Sequence, residues 1–227
     1  MNYYFHEEYQ NKRKQMNAEI FAFCDLSKPT DIKKLTDGYI VKKYYYADTL
    51  NQKEGYAPVD GELCRLYKND VCIFEWKNID GHSRMSKIIK HSNGKSYLLF
   101  DEDLYGYSVL DIETGSCVHY FPAESYFHDM ETFEETFIWF EPYYDTQSNL
   151  LAVEGCYWAC PYSVIVADFT DPMKIAEASD WYDLMKHTKY QEIIDDDIEF
   201  KEWDKNFLIC SSVSISKQEI LQKIGGI

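Results

Sequence analysis

Two cysteines, Cys156 and Cys160, stand four residues apart around a Tyr-Trp pair in the stretch GCYWACPYS (155–163). Closely spaced thiols are typical of zinc sites, redox disulfides and catalytic nucleophiles, so this stretch is the first candidate for chemistry. In an extended segment the two Cα atoms would be about 13 Å apart, at about 3.3 Å per residue. That distance is too long for a shared metal ion or a disulfide, so the thiols can meet only if the loop turns.

The rest of the sequence offers these thiols few partners. A structural zinc site needs four Cys or His ligands, but there is no second cysteine pair of suitable spacing, and His119, His128 and His187 lie far apart along the chain. No cysteine-protease signature, Gly-rich phosphate loop or dinucleotide fingerprint is present. We therefore predict no metal site and no cofactor, and we interpret both cysteines as free thiols that pack as small apolar side chains. The aromatic pair Tyr157 and Trp158 is the better candidate for binding.

Carboxylates form the second candidate site, together with nearby tyrosines. The segment 101–107 contains Asp101, Glu102, Asp103, Tyr105 and Tyr107. Glu154 directly precedes the cysteine stretch. Paired carboxylates can hold Ca²⁺ through their oxygens, or act as general acid and base in hydrolysis when they are about 5–10 Å apart. A solvated acidic loop is the alternative to both.

A recurring unit of apolar strand, polar turn and apolar strand positions these candidates. Three copies are clear, at 85–103, 136–155 and 198–212, and a weaker one covers 37–46. Each clear copy predicts a β-hairpin. The apolar residues that close the copies lie 53 to 59 residues apart and are Val41, Phe100, Val153 and Cys210.

A second signature follows two of the hairpins. It reads YSVLDIETG at 107–115 and YSVIVADFTDP at 162–172, an alternating strand that runs to an aspartate and a turn. The N-terminal segment 20–35 matches 164–179, with Asp25 aligned on Asp168. Residues 16–35 are therefore predicted to complete the unit 198–227 at the other end of the chain.

The stretch IIKHSNGKSYLLFDEDLYGYSVLDIETGSCVHYF (88–121) resembles a blade of the WD-repeat and related β-propeller families. The shared pattern is an Asn-Gly turn, an apolar strand, a loop, a strand that ends near Asp, and a Thr-Gly turn. The Gly-His pair and the terminal Trp-Asp of the WD-repeat signature are absent. The resemblance implies a propeller-like arrangement, in which a unit shared between the termini would close the ring. An open β-meander or a β-sandwich fits the same strands.

We therefore predict a single all-β domain over 1–227, propeller-like or an open β-meander, with about four antiparallel units of roughly 55 residues. The predicted units are 37–84, 85–122, 136–178, and 198–227 paired with 16–35. Helices are predicted near the C-terminus, at 179–197 after Ser179 and at 216–227 after Ser216, and the polar segment 5–17 fits either a helix or an exposed strand.

Composition narrows the classes of partner. Aromatic residues make up 17% of the chain, which favours strands. The formal charge of −16, from 39 Asp+Glu against 23 Lys+Arg, disfavours nucleic acid and membrane surfaces and favours a basic protein as partner. No apolar run has the length of an export signal or a membrane span, so we expect a cytoplasmic protein. The seven cysteines are then expected to be reduced.

These patterns support two hypotheses of function. The first is a binding or interaction module that contacts its partner through the loops 101–107 and 154–162, in its most concrete form an acidic inhibitor of a cationic protein. The second is a hydrolase or lyase that uses Glu154 with Asp101 or Asp103 and a tyrosine such as Tyr105 or Tyr157. The second hypothesis requires those carboxylates to share one pocket.

Overall fold

A computed structural model of the protein describes residues 1–21, 24–48, 59–126, 134–158, 160–186 and 197–225. Its helices are α1 (Glu7–Phe21) and α2 (Lys217–Ile224). Neither of these described helices is long and apolar enough to cross a bilayer. The strands are β1 (Asp31–Lys34), β2 (Tyr39–Asp48), β3 (Val59–Lys68), β4 (Val71–Asn78), β5 (Ser86–Lys90), β6 (Ser96–Phe100), β7 (Tyr107–Asp111), β8 (Cys117–Tyr120), β9 (Ile138–Asp145), β10 (Leu150–Cys156), β11 (Ser163–Asp168), β12 (Tyr182–Asp183), β13 (Phe200–Trp203), β14 (Phe207–Cys210) and β15 (Ser214–Ser216).

The strands form four antiparallel sheets, each with its strands ordered as they follow along the chain. Sheet 1 contains β1 to β4, sheet 2 contains β5 to β8, sheet 3 contains β9 to β12, and sheet 4 contains β13 to β15. The prediction of a mainly β, antiparallel architecture is confirmed.

Turn residues set the predicted hairpins. Between β5 and β6, Gly94 adopts φ +87°, and the His91 amide donates to the Lys95 carbonyl at 2.9 Å. Between β9 and β10, Asn149 adopts φ +55°, a left-handed conformation that Asn tolerates better than most residues. The strands β13 and β14 form the third hairpin. All three hairpins lie in the segments where turn chemistry and alternation predict them.

Two glycines are required by close backbone contacts at the loops that carry the candidate residues. A Cβ on Gly155 would lie 1.9 Å from the Ile138 carbonyl oxygen, at a point where the β9–β10 register shifts. A Cβ on Gly106, whose φ is +85°, would lie 2.1 Å from the Tyr120 carbonyl oxygen. No real side chain tolerates such distances, so these positions hold the loops beside β7 and β10 in place.

Sheets that follow one another along the chain pack face to face. One buried cluster joins sheets 1 and 2, and it includes Val41, Leu66, Ile88 and Leu98. A second joins sheets 2 and 3 through Leu99, Val109, Trp139 and Leu151. A third joins sheet 3 to sheet 4 and α2 through Leu150, Val166, Leu208 and Ile220. Sheets 2 and 3 therefore bury both faces, and all five residues of β7 are buried.

Helix α1 covers most of the polar segment 5–17, for which the sequence leaves a helix and an exposed strand open. Its residues are mostly polar, yet Tyr9 is 1% exposed and packs with Tyr105, Phe121 and Ile138. Tertiary packing of a few side chains stabilises this helix, as it does most helices in proteins.

One predicted pairing and one predicted helix need correction. Residues 31–34 pair with β2, and sheet 4 contains only β13 to β15 among the described residues, so 16–35 does not complete the unit 198–227 there. The N-terminal segment forms α1 because its buried side chains find partners near sheet 2. Within the helix predicted at 179–197, Ala178–Asp180 is a 3-10 turn and Tyr182–Asp183 pairs with β11, while 187–196 lies outside the described residues. The predicted C-terminal helix is confirmed, with the Ser216 side chain accepting a hydrogen bond from the Glu219 amide at 3.1 Å.

Candidate functional site

Asp101, the first of three consecutive carboxylates, points into the protein and is 3% exposed. One of its oxygens accepts from the Ser83 hydroxyl at 2.6 Å and the Met85 amide at 3.1 Å. The other accepts from the Asn78 side chain at 2.9 Å and the Arg84 amide at 2.7 Å. Burial raises the pKa of Asp101, and the hydrogen bonds from Ser83, Arg84 and Met85 oppose that shift. Asp101 therefore holds the connection between sheets 1 and 2.

Glu102 is the centre of a second internal network. It accepts from the Arg13 guanidinium at 2.7 Å and the Ser108 hydroxyl at 2.7 Å, and shares a 2.7 Å hydrogen bond with His119. The ring of Tyr4 stacks on His119 with centroids 4.2 Å apart. Burial acts to raise the pKa of Glu102, but the hydrogen bond to His119 and the charge of Arg13 outweigh it and lower that pKa. This carboxylate ties α1 to sheet 2.

The remaining residues of the segment 101–107 also face inward. Asp103 is 7% exposed and accepts from the Tyr9 hydroxyl at 3.1 Å. Tyr105 and Tyr107 are buried, and the Tyr107 hydroxyl donates to the Ala176 carbonyl at 3.0 Å and accepts from the Ala176 amide at 2.9 Å. The expectation of a solvated acidic loop is therefore wrong for this segment, because α1 and the loop around 176 supply internal partners.

Glu154 lies in a different part of the molecule. Its two oxygens accept from the Tyr143 hydroxyl at 2.7 Å and from the Phe200 amide at 2.5 Å, so it connects sheet 3 to sheet 4. The hydrogen-bond partners of Asp101 and Asp103 belong to other elements. Among the described residues, Glu154 therefore shares no hydrogen-bond network with Asp101 or Asp103.

The cysteine stretch forms a turn, in which the Cys160 amide donates to the Tyr157 carbonyl at 3.0 Å. Tyr157 is half-buried and its hydroxyl donates to Asp183, whereas Trp158 is 61% exposed. Cys156 is half-buried, Cys160 is exposed, and both are free thiols. Within the described ranges, no group of three or more His, Cys, Asp and Glu side chains is arranged to hold a metal ion.

A cleft of about 670 Å³ lies between the first strands of the sheets, and Glu154 is hydrogen-bonded to two of its lining residues, Tyr143 and Phe200. Residues of β5, β9 and β13 line it, together with the turn that follows β1. We call it the inner-strand cleft, defined by residues 36–37, 87–90, 142–144, 146 and 200–203. None of the eight residues predicted to bind a partner is among them.

Aromatic side chains form one wall of the inner-strand cleft. Tyr143 and Phe200 stack with ring centroids 3.9 Å apart and an interplanar angle of 12°. The Trp203 indole donates to the Tyr143 carbonyl at 2.9 Å, which fixes its orientation. Because these residues come from both β9 and β13, the wall depends on the packing of sheet 3 against sheet 4.

The lysines that line the inner-strand cleft are paired with carboxylates. Lys90 contacts Asp37 at 2.9 Å, and Lys201 contacts Glu199 at 2.6 Å. Lys87 forms an ion pair with Glu141 across β5 and β9. The cleft therefore combines an aromatic wall with lysines that are already paired with carboxylates.

Sequence reasoning missed the inner-strand cleft, although one signal pointed to it. Lys87, Tyr143 and Phe200 are 56 and 57 residues apart, which matches the spacing of the repeated hairpins. Each lies on the first strand of its sheet. The structure brings these three residues together as lining of one cleft.

Comparison with known proteins gives no relative from which an activity could be carried over. No protein-family model, curated protein or solved structure matches this chain.

Proposed function

We propose that the protein is a binding module whose small-molecule ligand occupies the inner-strand cleft. The observation that carries the proposal is the aromatic wall of Tyr143, Phe200 and Trp203 in a cleft of about 670 Å³. Small-molecule sites commonly have volumes of about 300–1,000 Å³ and mostly apolar linings with a few polar groups.

We further propose that the four sheets are arranged as propeller-like blades around this cleft. Three features support the arrangement: strand order follows the chain in every sheet, consecutive sheets pack face to face, and first strands line the cleft. In such a scaffold the centre is a natural place for a ligand because several blades can each contribute a side chain.

The hydrolase or lyase hypothesis receives less support from the geometry. Asp101 and Asp103 accept hydrogen bonds from the chain's own donors, and Glu154 does so elsewhere, between sheets 3 and 4. A paired acid and base need to face one substrate. The geometry therefore favours binding over catalysis by these groups.

An obstruction experiment tests the proposed site. Thr146 is exposed and lines the inner-strand cleft, and the neighbouring Gln147 is exposed but lies outside the lining. We expect Thr146→Trp to fill the opening and to weaken binding of the apolar dye N-phenyl-1-naphthylamine about tenfold, while Gln147→Trp binds like the wild type. Fluorescence titration measures both, with circular dichroism to verify the fold. Equal affinities in the two variants, or no saturable binding by the wild type, would count against the proposal.

A second candidate function, contact with a cationic protein, is favoured by the distribution of charge. Residues 1–78 contain 12 Lys+Arg and 12 Asp+Glu, whereas 79–227 contain 11 and 27. The whole formal charge of −16 therefore belongs to 79–227. One-sided charge speeds association with an oppositely charged partner. An acidic inhibitor would contact its partner through surface that residues 79–227 contribute.

Charge variants test the second candidate. Three exposed aspartates line a smaller cleft of about 420 Å³: Asp168, Asp171 and Asp180. We expect neutralising all three to Asn to weaken binding of an octalysine peptide, and we expect binding by the wild type to fall steeply between 50 and 200 mM salt, both on the order of tenfold. Glu7→Gln/Glu8→Gln, on exposed positions of α1, is the control. Binding that does not respond to salt would reject this candidate.

A further inference from the structure

Two ion pairs of the inner-strand cleft keep free hydrogen-bonding capacity. In the first, Lys90 on β5 contacts Asp37 at 2.9 Å, and the two side chains are 66% and 38% exposed. Both residues line the cleft. An ammonium group has three N–H donors and a carboxylate has about four acceptor positions, so one ion pair leaves most of them unused. The pair therefore offers a donor and an acceptor side by side.

The second ion pair lies beside the aromatic wall. Lys87 on β5 pairs with Glu141 on β9, and both side chains are partly exposed. The Lys87 ammonium is 5.5 Å from the centre of the Tyr143 ring. Tyr143 in turn stacks on Phe200. Polar groups and an aromatic surface therefore meet where sheets 2, 3 and 4 each contribute a side chain.

The charges of the cleft favour a ligand without net charge. Three lysines line it, Lys87, Lys90 and Lys201, and each has a carboxylate partner. An anion would have to compete with those carboxylates, and a cation would have to approach three ammonium groups. The remaining charged residue of the lining, Glu202, is exposed, so water and salt screen its charge.

We propose that the ligand of the inner-strand cleft is a neutral carbohydrate, held by hydroxyl groups at the two ion pairs and by one face of a sugar ring against the aromatic wall. This inference rests on the proposed binding role of the cleft. A hydroxyl both donates and accepts, so neighbouring hydroxyls of a sugar match the ammonium and the carboxylate of one pair. A pyranose ring also presents C–H groups on one face, whose slight positive charge is attracted to the negative face of an aromatic ring. A linear polyol has no such fixed apolar face.

Displacement of N-phenyl-1-naphthylamine by neutral trisaccharides tests the proposal. Dye and sugar would share the aromatic wall, so they should compete. We expect at least one of maltotriose, cellotriose, mannotriose, xylotriose and triacetylchitotriose to displace the dye with an inhibition constant of about 1 mM or lower. No displacement by any of them at concentrations up to about 10 mM contradicts the inference.

A variant at the more exposed ion pair tests the hydrogen bonds. Lys90→Met removes the ammonium group and keeps most of the apolar stem. We expect it to raise the inhibition constant of the displacing sugar about tenfold and the dissociation constant of the dye less than about twofold. The control is Lys34→Met, at an exposed lysine outside the cleft lining, and it should leave both constants unchanged. An effect of Lys90→Met on the sugar no larger than that of the control contradicts the inference.

Two aromatic ions test the requirement for a neutral ligand. We expect benzoate and benzyltrimethylammonium to displace the dye at least about tenfold less well than the best trisaccharide. Stronger displacement by either ion than by every trisaccharide would reject a neutral ligand.

The same measurements separate this inference from the proposed function. If Thr146→Trp weakens binding of the dye but no trisaccharide displaces it, the cleft binds ligands and the carbohydrate is rejected. If Thr146→Trp leaves the affinity for the dye unchanged, or the wild type does not bind the dye saturably, both proposals are rejected.

Discussion

Arg13→Met removes the cation that ties α1 to sheet 2, and its effect on stability can be worked out from the structure. The Arg13 side chain is 8% exposed and that of Glu102 is 10% exposed. The guanidinium donates to Glu102 at 2.7 Å and lies over the ring of Tyr4 at 5.1 Å. Methionine keeps much of the apolar stem, so the change isolates the charge and its hydrogen bonds.

Removing one partner of a buried ion pair costs about 3–5 kcal/mol because the other charge stays buried. Glu102 keeps His119 and the Ser108 hydroxyl, each at 2.7 Å, after Arg13 is gone. We therefore expect the lower end of the range, a loss of about 3 kcal/mol in the free energy of unfolding. At about 1.4 kcal/mol per factor of ten, this is a roughly 150-fold change in the ratio of folded to unfolded protein.

Urea unfolding followed by tryptophan fluorescence and circular dichroism measures this loss. Lys14→Met is the matched control, because Lys14 is the next residue of α1 and is exposed. We expect that control to stay within about 0.5 kcal/mol of the wild type. An effect of Arg13→Met as small as that of Lys14→Met would refute the burial and pairing on which the reasoning depends.

The same variant should change the dependence of stability on pH. The pKa of Glu102 is lowered in the folded state, so its contribution is present above the ordinary value of 4.5 and is lost as the pH falls through the folded pKa. The difference between the wild type and Arg13→Met should thus be largest near neutral pH and shrink below about pH 4.5. A difference that grows with acidification contradicts this sign.

Two more predictions concern backbone space and thiol exposure. Gly106→Ala should lower the free energy of unfolding by more than about 3 kcal/mol, because its Cβ would lie 2.1 Å from a carbonyl oxygen. Gly94→Ala, also at positive φ but with open space around its Cβ, should lower it by about 1 kcal/mol. Urea unfolding compares the two variants, and equal losses would contradict the close contact. The exposed thiols Cys72 and Cys160 should react within minutes with Ellman's reagent, whereas Cys210, whose pKa burial raises to about 12, should react only after unfolding. Mass spectrometry of the labelled native protein identifies the sites, and early labelling of Cys210 would refute its burial.

Local patterns in the sequence are sufficient to predict the hairpins and α2. Gly94 and Asn149 supply the turn conformations, and Ser216 supplies a helix cap, all within a few residues of the elements they define. Such signals act between residues that are close in sequence, so they can be recognised without knowledge of the rest of the fold.

The candidate site depended on partners far away in the chain. Nothing in the segment 101–103 indicates that Arg13, 89 residues earlier, neutralises Glu102. A distant partner also separates Tyr157 from Trp158. The Tyr157 hydroxyl donates to Asp183 and its ring is half-buried, whereas Trp158 is exposed. Burial and pairing of charged groups are set by tertiary packing, which propensity and spacing do not encode.

The placement of α1 also affects the order in which the protein can form during synthesis. Each sheet pairs strands that are close in sequence, so sheets can form as their own residues leave the ribosome. The contact of Tyr9 with Asp103 spans 94 residues, and that of Arg13 with Glu102 spans 89. Helix α1 must therefore wait, with the side chains of Tyr9 and Arg13 uncovered, until the residues of sheet 2 have been translated.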